Sequence, residues 1–215
     1  TDEMAGLVRI TVPDLPDEHA VLRELLTALQ AYPKLVLDWR RDTVRLNVVQ
    51  EQIDIGVRID HLADSRLIAR KIGETCEKIV MAPDLLRRLG KPKDFADLQK
   101  NYPLAAVLNH NNGRADTWYI NENLQFTPAK PHFVGSHIHN ALQAALAGNA
   151  VSQQLDWMVA PYLLNGELVE LFAEVPKIRW PVSIYRPQRV VTPMRVKVVF
   201  DLLAEILGKR FELPV

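Results

Sequence analysis

The sequence predicts an α/β fold that opens on a parallel, doubly wound sheet, and three observations carry that prediction. Gly6 to Val12, Leu35-Val36-Leu37 with Trp39, and the β-branched run from Ile53 to Ile59 read as strands. The stretches between them carry helix signals, and a parallel connection needs a crossover element to return the chain. At 215 residues the chain exceeds the commonest domain size without reaching two full domains, which leaves one domain or two small lobes.

The first strand is stopped by Pro13-Asp14-Leu15-Pro16. Asp14 with Asp17 three residues later, and Pro16 in the first turn, predict the start of a helix with the apolar stripe Val21, Leu22, Leu25, Leu26 and Leu29. Tyr32-Pro33 ends it. A short helix is expected from Val44 to Val49, completing a β-α-β-α-β order. From Leu67 to Ala82 the chain reads as an extended segment leaving this first lobe, and Pro83 opens a helix that Gly90 closes. Pro103 to Leu108, Thr117 to Ile120 and Pro131 to Val134 read as strands of a second lobe. Ser136 is expected to start its main helix, which runs to the Gly148 stop. A further apolar stretch covers Trp157 to Leu164. Strands at Leu168 to Phe172 and Val182 to Tyr185 follow, and Pro193 opens a last helix to about Gly208. On that helix Val196, Val199, Phe200, Leu203, Ile206 and Leu207 form one stripe. Val198 and Leu202 widen it to roughly 200°, so a second apolar partner is expected.

Composition narrows the function classes. Lys+Arg and Asp+Glu stand at 26 each, which removes the basic footprint of an autonomous DNA binder. The single cysteine, Cys76, allows no intramolecular disulfide and no cysteine-based metal cluster, and it fits a reducing cytoplasm. No apolar run approaches the roughly 18 residues of a membrane span.

Motifs for hydrolase, zincin, P-loop and dinucleotide sites do not occur in the sequence, so neither catalysis nor a cofactor is expected. His137 and His139, two apart on a helix, would point to different sides and are read as surface or capping groups, not metal ligands. Carboxylates beside Cys76 (Glu74, Glu77) should raise its pKa and keep the thiol inert. Asp14, Asp17 and Glu18 are read as capping charges at a helix start rather than an acid/base cluster. Trp118, Trp157 and Trp180 are read as packing residues. Two features admit a binding role: Gly135-Ser136-His137, either a helix-start anion site or plain capping, and Arg58-Ile59-Asp60 at the end of the third strand. Open α/β sheets place ligands at such strand ends, and an ordinary ion pair of Arg58 is the alternative.

In order along the chain, Gly6-Leu-Val-Arg-Ile10 with Pro13, Tyr32-Pro33, Asp54-Ile-Gly-Val-Arg58-Ile59 and the run from Leu62 to Arg70 resemble the regulatory domain of LysR-type bacterial transcription regulators. Ala82-Pro83 through Gly90, the stretch from Asp94 to Leu98, Ala144-Ala-Leu-Ala-Gly148, Val159-Ala-Pro-Tyr162, Gly166-Glu-Leu-Val169 and Tyr185-Arg-Pro187 extend the likeness over nearly the whole chain.

The resemblance implies a type II periplasmic-binding-protein fold: two Rossmann-like lobes, a hinge and a central ligand cleft. Lobe I would comprise residues 6–75 plus 180–215 and lobe II residues 76–179, with the family's N-terminal winged helix-turn-helix absent from this chain. It also implies a small-molecule effector bound by Pro13, Asp14, Leu15, Arg58, Ile59, Asn109, Ser136, His137, Val151 and Ser152, and the free N–H groups expected at the Ser136 helix start point to a carboxylate or other anion. A homodimer or tetramer would form through lobe I helices, with DNA contacted only through the missing domain and no membrane involved. An exported solute-binding protein of the same fold is the alternative. Leu15-Pro16, Ala150 and Leu155 depart from the family pattern at the pocket floor.

Overall fold

Alternation in β1 (Gly6–Val12) sends Val8, Ile10 and Val12 to one face, where all three are fully buried. The computed structural model describes residues 3–41, 52–62 and 65–211. One compact unit comprises Thr1–Thr75 with Trp180–Val215, and a second comprises Cys76–Arg179.

In the first unit, helix α1 (Glu18–Ala28) and a 3-10 turn (Leu29–Ala31) carry the chain from β1 to β2 (Leu35–Arg41). β2 lies parallel to β1, from Gly6 opposite Leu35 to Val12 opposite Arg41. The expected capping by Asp14 is not observed. Asp17 is the cap residue, in the left-handed region at φ 54°, with no side-chain cap bond. The Asp14 carboxylate instead takes the guanidinium of Arg41. β3 (Ile55–Ile59) pairs in parallel on the other side of β1, two residues shorter than the apolar run suggested, although Ile53 is itself buried. The helix expected at 44–49 lies outside the described residues.

The segment read as leaving the lobe contains two strands. β4 (Leu67–Thr75) remains in the first sheet, and β5 (Glu77–Met81) belongs to the second unit. The first sheet has the order β2-β1-β3-β12-β4, where β12 (Trp180–Pro187) runs antiparallel to both neighbours. It is therefore parallel through its first three strands and mixed thereafter. Val182 and Ile184 of β12 join the β1 residues, Leu25 of α1 and helix α6 (Met194–Gly208) in one core. Val196, Val199, Phe200, Leu203, Ile206 and Leu207 form the buried face of α6, as the periodicity requires.

The second unit centres on β5, whose alternate residues serve two cores. Ile79 and Met81 pack with Leu85, Leu98, Trp118 and Val151, and Val80 packs with Leu142, Ala145, Val159 and Leu168. Helix α2 (Pro83–Leu89) has its proline in the first turn and ends at Gly90. Helix α3 (Phe95–Asn101) is capped by the Asp94 side chain, which accepts from the Asp97 N–H. Strand β6 (Ala105–Val107) precedes a hairpin of β7 (Trp118–Asn121) and β8 (Leu124–Phe126), and β9 (Phe133–Gly135) pairs with β6 in parallel. Helix α4 (Ile138–Leu146), strand β10 (Ser152–Leu155), helix α5 (Asp156–Leu164) and strand β11 (Val169–Leu171) complete the unit, with β10 and β11 flanking β5. Ser136 does not start α4. His137 is the cap, and its Nδ1 accepts the His139 N–H at 3.3 Å. No described helix is long and apolar enough to cross a membrane.

Two close contacts test this packing. A Cβ on Gly56 would lie 2.1 Å from Cζ of Tyr185, a side chain 1% exposed in the opposite register position of β12. Gly56→Ala should therefore lower unfolding free energy by about 1–3 kcal/mol, read from the urea midpoint. Asp38 accepts from Arg9 at 2.8 Å and from Arg40 at 3.1 Å, and these cations, Arg40 foremost, hold its carboxyl below the usual range. A depressed pKa contributes stability above the unfolded value, and that stability disappears as pH falls through the folded one. Asp38→Asn should accordingly be less stable than the wild type at pH 7. The two melting temperatures should converge well below pH 4, roughly the free carboxylate value.

Candidate functional site

In the first unit the chain leaves β1 toward β2 on one side and returns to β3 on the other, so β1 and β3 flank the topological switch point of the sheet. Pro13, Asp14 and Leu15 follow the carboxyl end of β1, and Arg58 and Ile59 form that of β3. Such paired carboxyl ends are where open α/β sheets bind ligands. Within this group the side chains differ in what they can do. Leu15 is buried in the unit's core, and Ile59 packs against it. Asp14 and Glu18 share Arg41, whose two guanidinium nitrogens reach one carboxylate each, and Glu18 also faces the Trp39 indole N–H at 3.4 Å. These two acids thus share one cation; Glu18 does lie in the first turn of α1, as expected of a helix-start charge, whereas Asp14 does not. Arg58 stacks on Tyr185, its guanidinium carbon 5.2 Å from the ring centroid. Stacking occupies the guanidinium face and leaves its in-plane N–H groups for acceptors. On the same side of β1, the fully buried Thr11 has no hydrogen-bond partner for its Oγ1 among the described residues.

The second unit repeats the arrangement. β6 and β9 are parallel, Val107 lies opposite Gly135, and the Leu108 N–H bonds to the Gly135 carbonyl. Asn109 and Ser136-His137 therefore sit at adjacent carboxyl ends. Val151, beside Leu104 in a parallel bridge, leads to Ser152 on the other flank of β6. Asn109 Oδ1 accepts the Asn111 N–H at 2.9 Å and fixes a turn. Burial raises the Asp116 carboxyl, an effect that the Asn109 amide opposes. Ser136 is exposed, and His137 is half-buried. Val151 is fully buried in the core, so its backbone rather than its side chain is presented.

Sequence reading missed the residue that joins this group. Gln154, fully buried in β10, donates from Nε2 to Ser152 Oγ at 2.8 Å and to the Ile138 carbonyl at 3.0 Å. It ties Ser152 to the start of α4. Its Oε1 has no partner among the described residues. The available signal was the Ser-Gln-Gln run itself, three polar residues bounded by Val151 and Leu155, which can be buried only if hydrogen-bonded.

His137 and His139 are not on opposite sides of one helix, because His137 precedes α4. Their rings stack at 5.0 Å with an interplanar angle of 17°. The expected start-of-helix donors are also largely satisfied from within, His139 N–H by His137 Nδ1 and Asn140 N–H by the His137 carbonyl. Cys76 has its pKa raised, as expected, but burial is the main cause and Asp156 the second, rather than Glu74 and Glu77. Its Sγ lies 3.8 Å from Asp156 Oδ2. Of the tryptophans, Trp118 is in the second unit's core, and Trp157 and Trp180 are half-buried.

Among known proteins, residues 1–208 match the family described as LysR substrate binding domain. The HTH-type transcriptional regulator CrgA of Neisseria meningitidis is 26% identical over 183 residues, 83% of this chain and 60% of its own length. The HTH-type transcriptional activator TtdR of Escherichia coli is 22% identical over 214 residues, covering 97% of this chain and 67% of its own. The chain thus spans only part of the regulators it resembles. The solved CrgA regulatory domain superposes with a TM-score of 0.73 at 21% identity, over 95% of this chain and all of that one. The AphB regulatory domain of Vibrio vulnificus gives 0.71 at 19% identity, over 94% and 98%. These structures establish the fold as the two-lobed, type II periplasmic-binding-protein-like α/β fold of LysR regulatory domains. Given the family match along residues 1–208, this chain belongs to the LysR substrate binding domain family of transcription regulators.

Proposed function

We propose that this chain is the effector-sensing part of a cytoplasmic transcription regulator, binding a small organic acid without catalysis. The observation that carries the reading is that Pro13, Asp14, Arg58 and Ile59 lie at carboxyl ends of adjacent parallel strands in the first unit, and Asn109, Ser136 and His137 at those of the second. Within that set Arg58 carries the preference for an anion, because its stacked guanidinium keeps in-plane donors while α4 satisfies much of its own start. Pro13 and Asp14, with the backbone at Leu15 and Ile59, shape the first unit's contribution. Asn109, Ser136, His137 and Ser152, with the backbone at Val151, shape that of the second. The ligand would act by binding one conformation of the chain better than another, since equal affinity for both shifts nothing. DNA binding belongs to the part of the regulator that this chain does not span, in keeping with the chain's zero formal charge. The family match favours this reading over that of an exported solute carrier.

The same reading includes pairing of copies through first-unit helices. Leu202 and Val198 are half-buried, and Leu202 packs against its own core, so α6 offers less surplus apolar surface than its sequence suggested. Apolar surface is also exposed on α1, where Leu26 is 48% exposed beside half-buried Leu22, and at the start of α6, where Met194 is 44% exposed.

A thermal-shift screen of small organic acids at matched ionic strength should yield stabilising hits. At one hundred times Kd the gain is about 2.7 kcal/mol. Arg58→Gln should weaken a hit about tenfold or more, the loss of a charge-assisted bond, and Ser136→Trp should block it. Hits indifferent to both variants would place the effector elsewhere. For pairing, light scattering at tens of micromolar should show a dimer or tetramer that Leu26→Glu with Val198→Glu converts to monomer. A wild-type monomer, or an assembly unchanged by the double variant, would refute the interface.

A further inference from the structure

On the first unit, away from the strand ends described above, β4, β12 and α6 bring together three cations around one aromatic ring. The Arg70 guanidinium carbon lies 5.3 Å from the centroid of Phe200 and that of Arg186 lies 5.6 Å from the same centroid. Phe200 is 4% exposed, so the ring is a fixed platform. With Lys197, Asp201, Ile68 and Ala69 these residues line a cavity of about 280 Å³. Among the described residues Asp201 is the one carboxylate in that lining, and it pairs with Arg70 at 3.0 Å while its side chain remains 67% exposed. Arg186 donates to Thr192 Oγ1 at 3.2 Å.

Two guanidiniums held against one ring repel each other, and a single carboxylate leaves the cluster with a surplus of two positive charges. Stacking takes the faces of the guanidiniums and leaves their edges for acceptors. Arg70 gives one of its five N–H groups to Asp201 and Arg186 one to Thr192, so in-plane donors remain on both. The first turn of α6 carries no acidic residue and supplies Lys197 to the cavity. A doubly charged tetrahedral anion matches this surplus and this donor geometry, and the cavity falls near the lower size limit of ligand pockets.

We propose that Arg70, Arg186 and Lys197, on the Phe200 platform, form a second ligand site that binds a phosphate group, free or carried as a small monoester. Asp201 is its internal competitor: it occupies Arg70 when the site is empty and yields it to the incoming anion. The site is independent of the organic-acid reading, since it shares no residue with it.

Titration calorimetry with inorganic phosphate, and separately with glycerol 3-phosphate, against chloride at matched ionic strength, tests the proposal on the whole chain. Saturable phosphate binding is expected. Arg186→Gln and the more exposed Arg70→Gln should each weaken it about tenfold, the loss of a charge-assisted hydrogen bond. Asp201→Asn should tighten it, which a merely structural ion pair would not do, and Lys91→Gln on the other unit should leave it unchanged. Tighter binding of the monoester assigns a ligand with an organic group, and equal binding assigns free phosphate. Heats no greater than those of chloride, wild-type affinity in both arginine variants, or weaker binding by Asp201→Asn would each overturn the site.

Discussion

Parallel pairing of neighbouring strands is the constraint on which the rest of this molecule depends. It forces each connection to cross over, and it gathers the carboxyl ends of successive strands on one edge of the sheet. In the first unit that edge collects the loop after β1 and the end of β3, and in the second it collects the ends of β6 and β9. Loops leaving a rigid sheet can vary in sequence without disturbing the core beneath them. The candidate residues inherit their positions from the core, which is built from Val8, Ile10, Val12, Ile55 and Val57 in one unit and from β5 in the other.

What packs beneath those loops is specified closely. Tyr185 lies over Gly56 because glycine alone leaves the space, and the same ring supports Arg58 from below. One residue without a side chain thus fixes an aromatic ring, and the ring fixes a cation. In the second unit a buried amide does comparable work. Gln154 holds Ser152 and the carbonyl of Ile138 together, so the strand and the helix start form one hydrogen-bonded piece. Buried polar networks of this kind rigidify when satisfied and are costly when disturbed.

Much of the fold was legible because burial on one face of a strand or helix leaves a period in the sequence. β1, β2, α1 and α6 each carry such a period, while Pro83 and Gly90 mark the ends of α2 and Gly148 follows that of α4, as the turn chemistry requires. β10 was not legible, since Ser152, Gln153 and Gln154 are polar and yet buried, their amides bonded to Tyr119, Ser152 and Ile138. Helix α3 was not read as a helix: at seven residues it is too short to show a period, and its Asp94 cap was the signal available. Of the candidate site, the sequence showed Arg58 and Ile59 as a strand end and pointed to Ser136 and His137 near a helix start, and the resemblance supplied the other residues. Leu15 and Val151 show where that reading stops: position along the chain does not say which way a side chain points, and both point into cores. Pairing of Asp14 with Arg41 was likewise hidden, because it joins residues of different strands' ends.

The second unit is continuous in sequence, whereas the first is closed only by β12 and α6, which lie after it. During synthesis from the amino terminus, β3 and β4 must wait for a strand that is made after the whole of the second unit. The second unit can fold as soon as it emerges; the first is left with an incomplete sheet and no α6 over its core. Unpaired strand edges and uncovered apolar faces are the surfaces through which nascent chains aggregate. The topology that makes the two units also sets the order in which they can fold, and it gives the cell a reason to shield residues 1–75 until residues 180–215 are made.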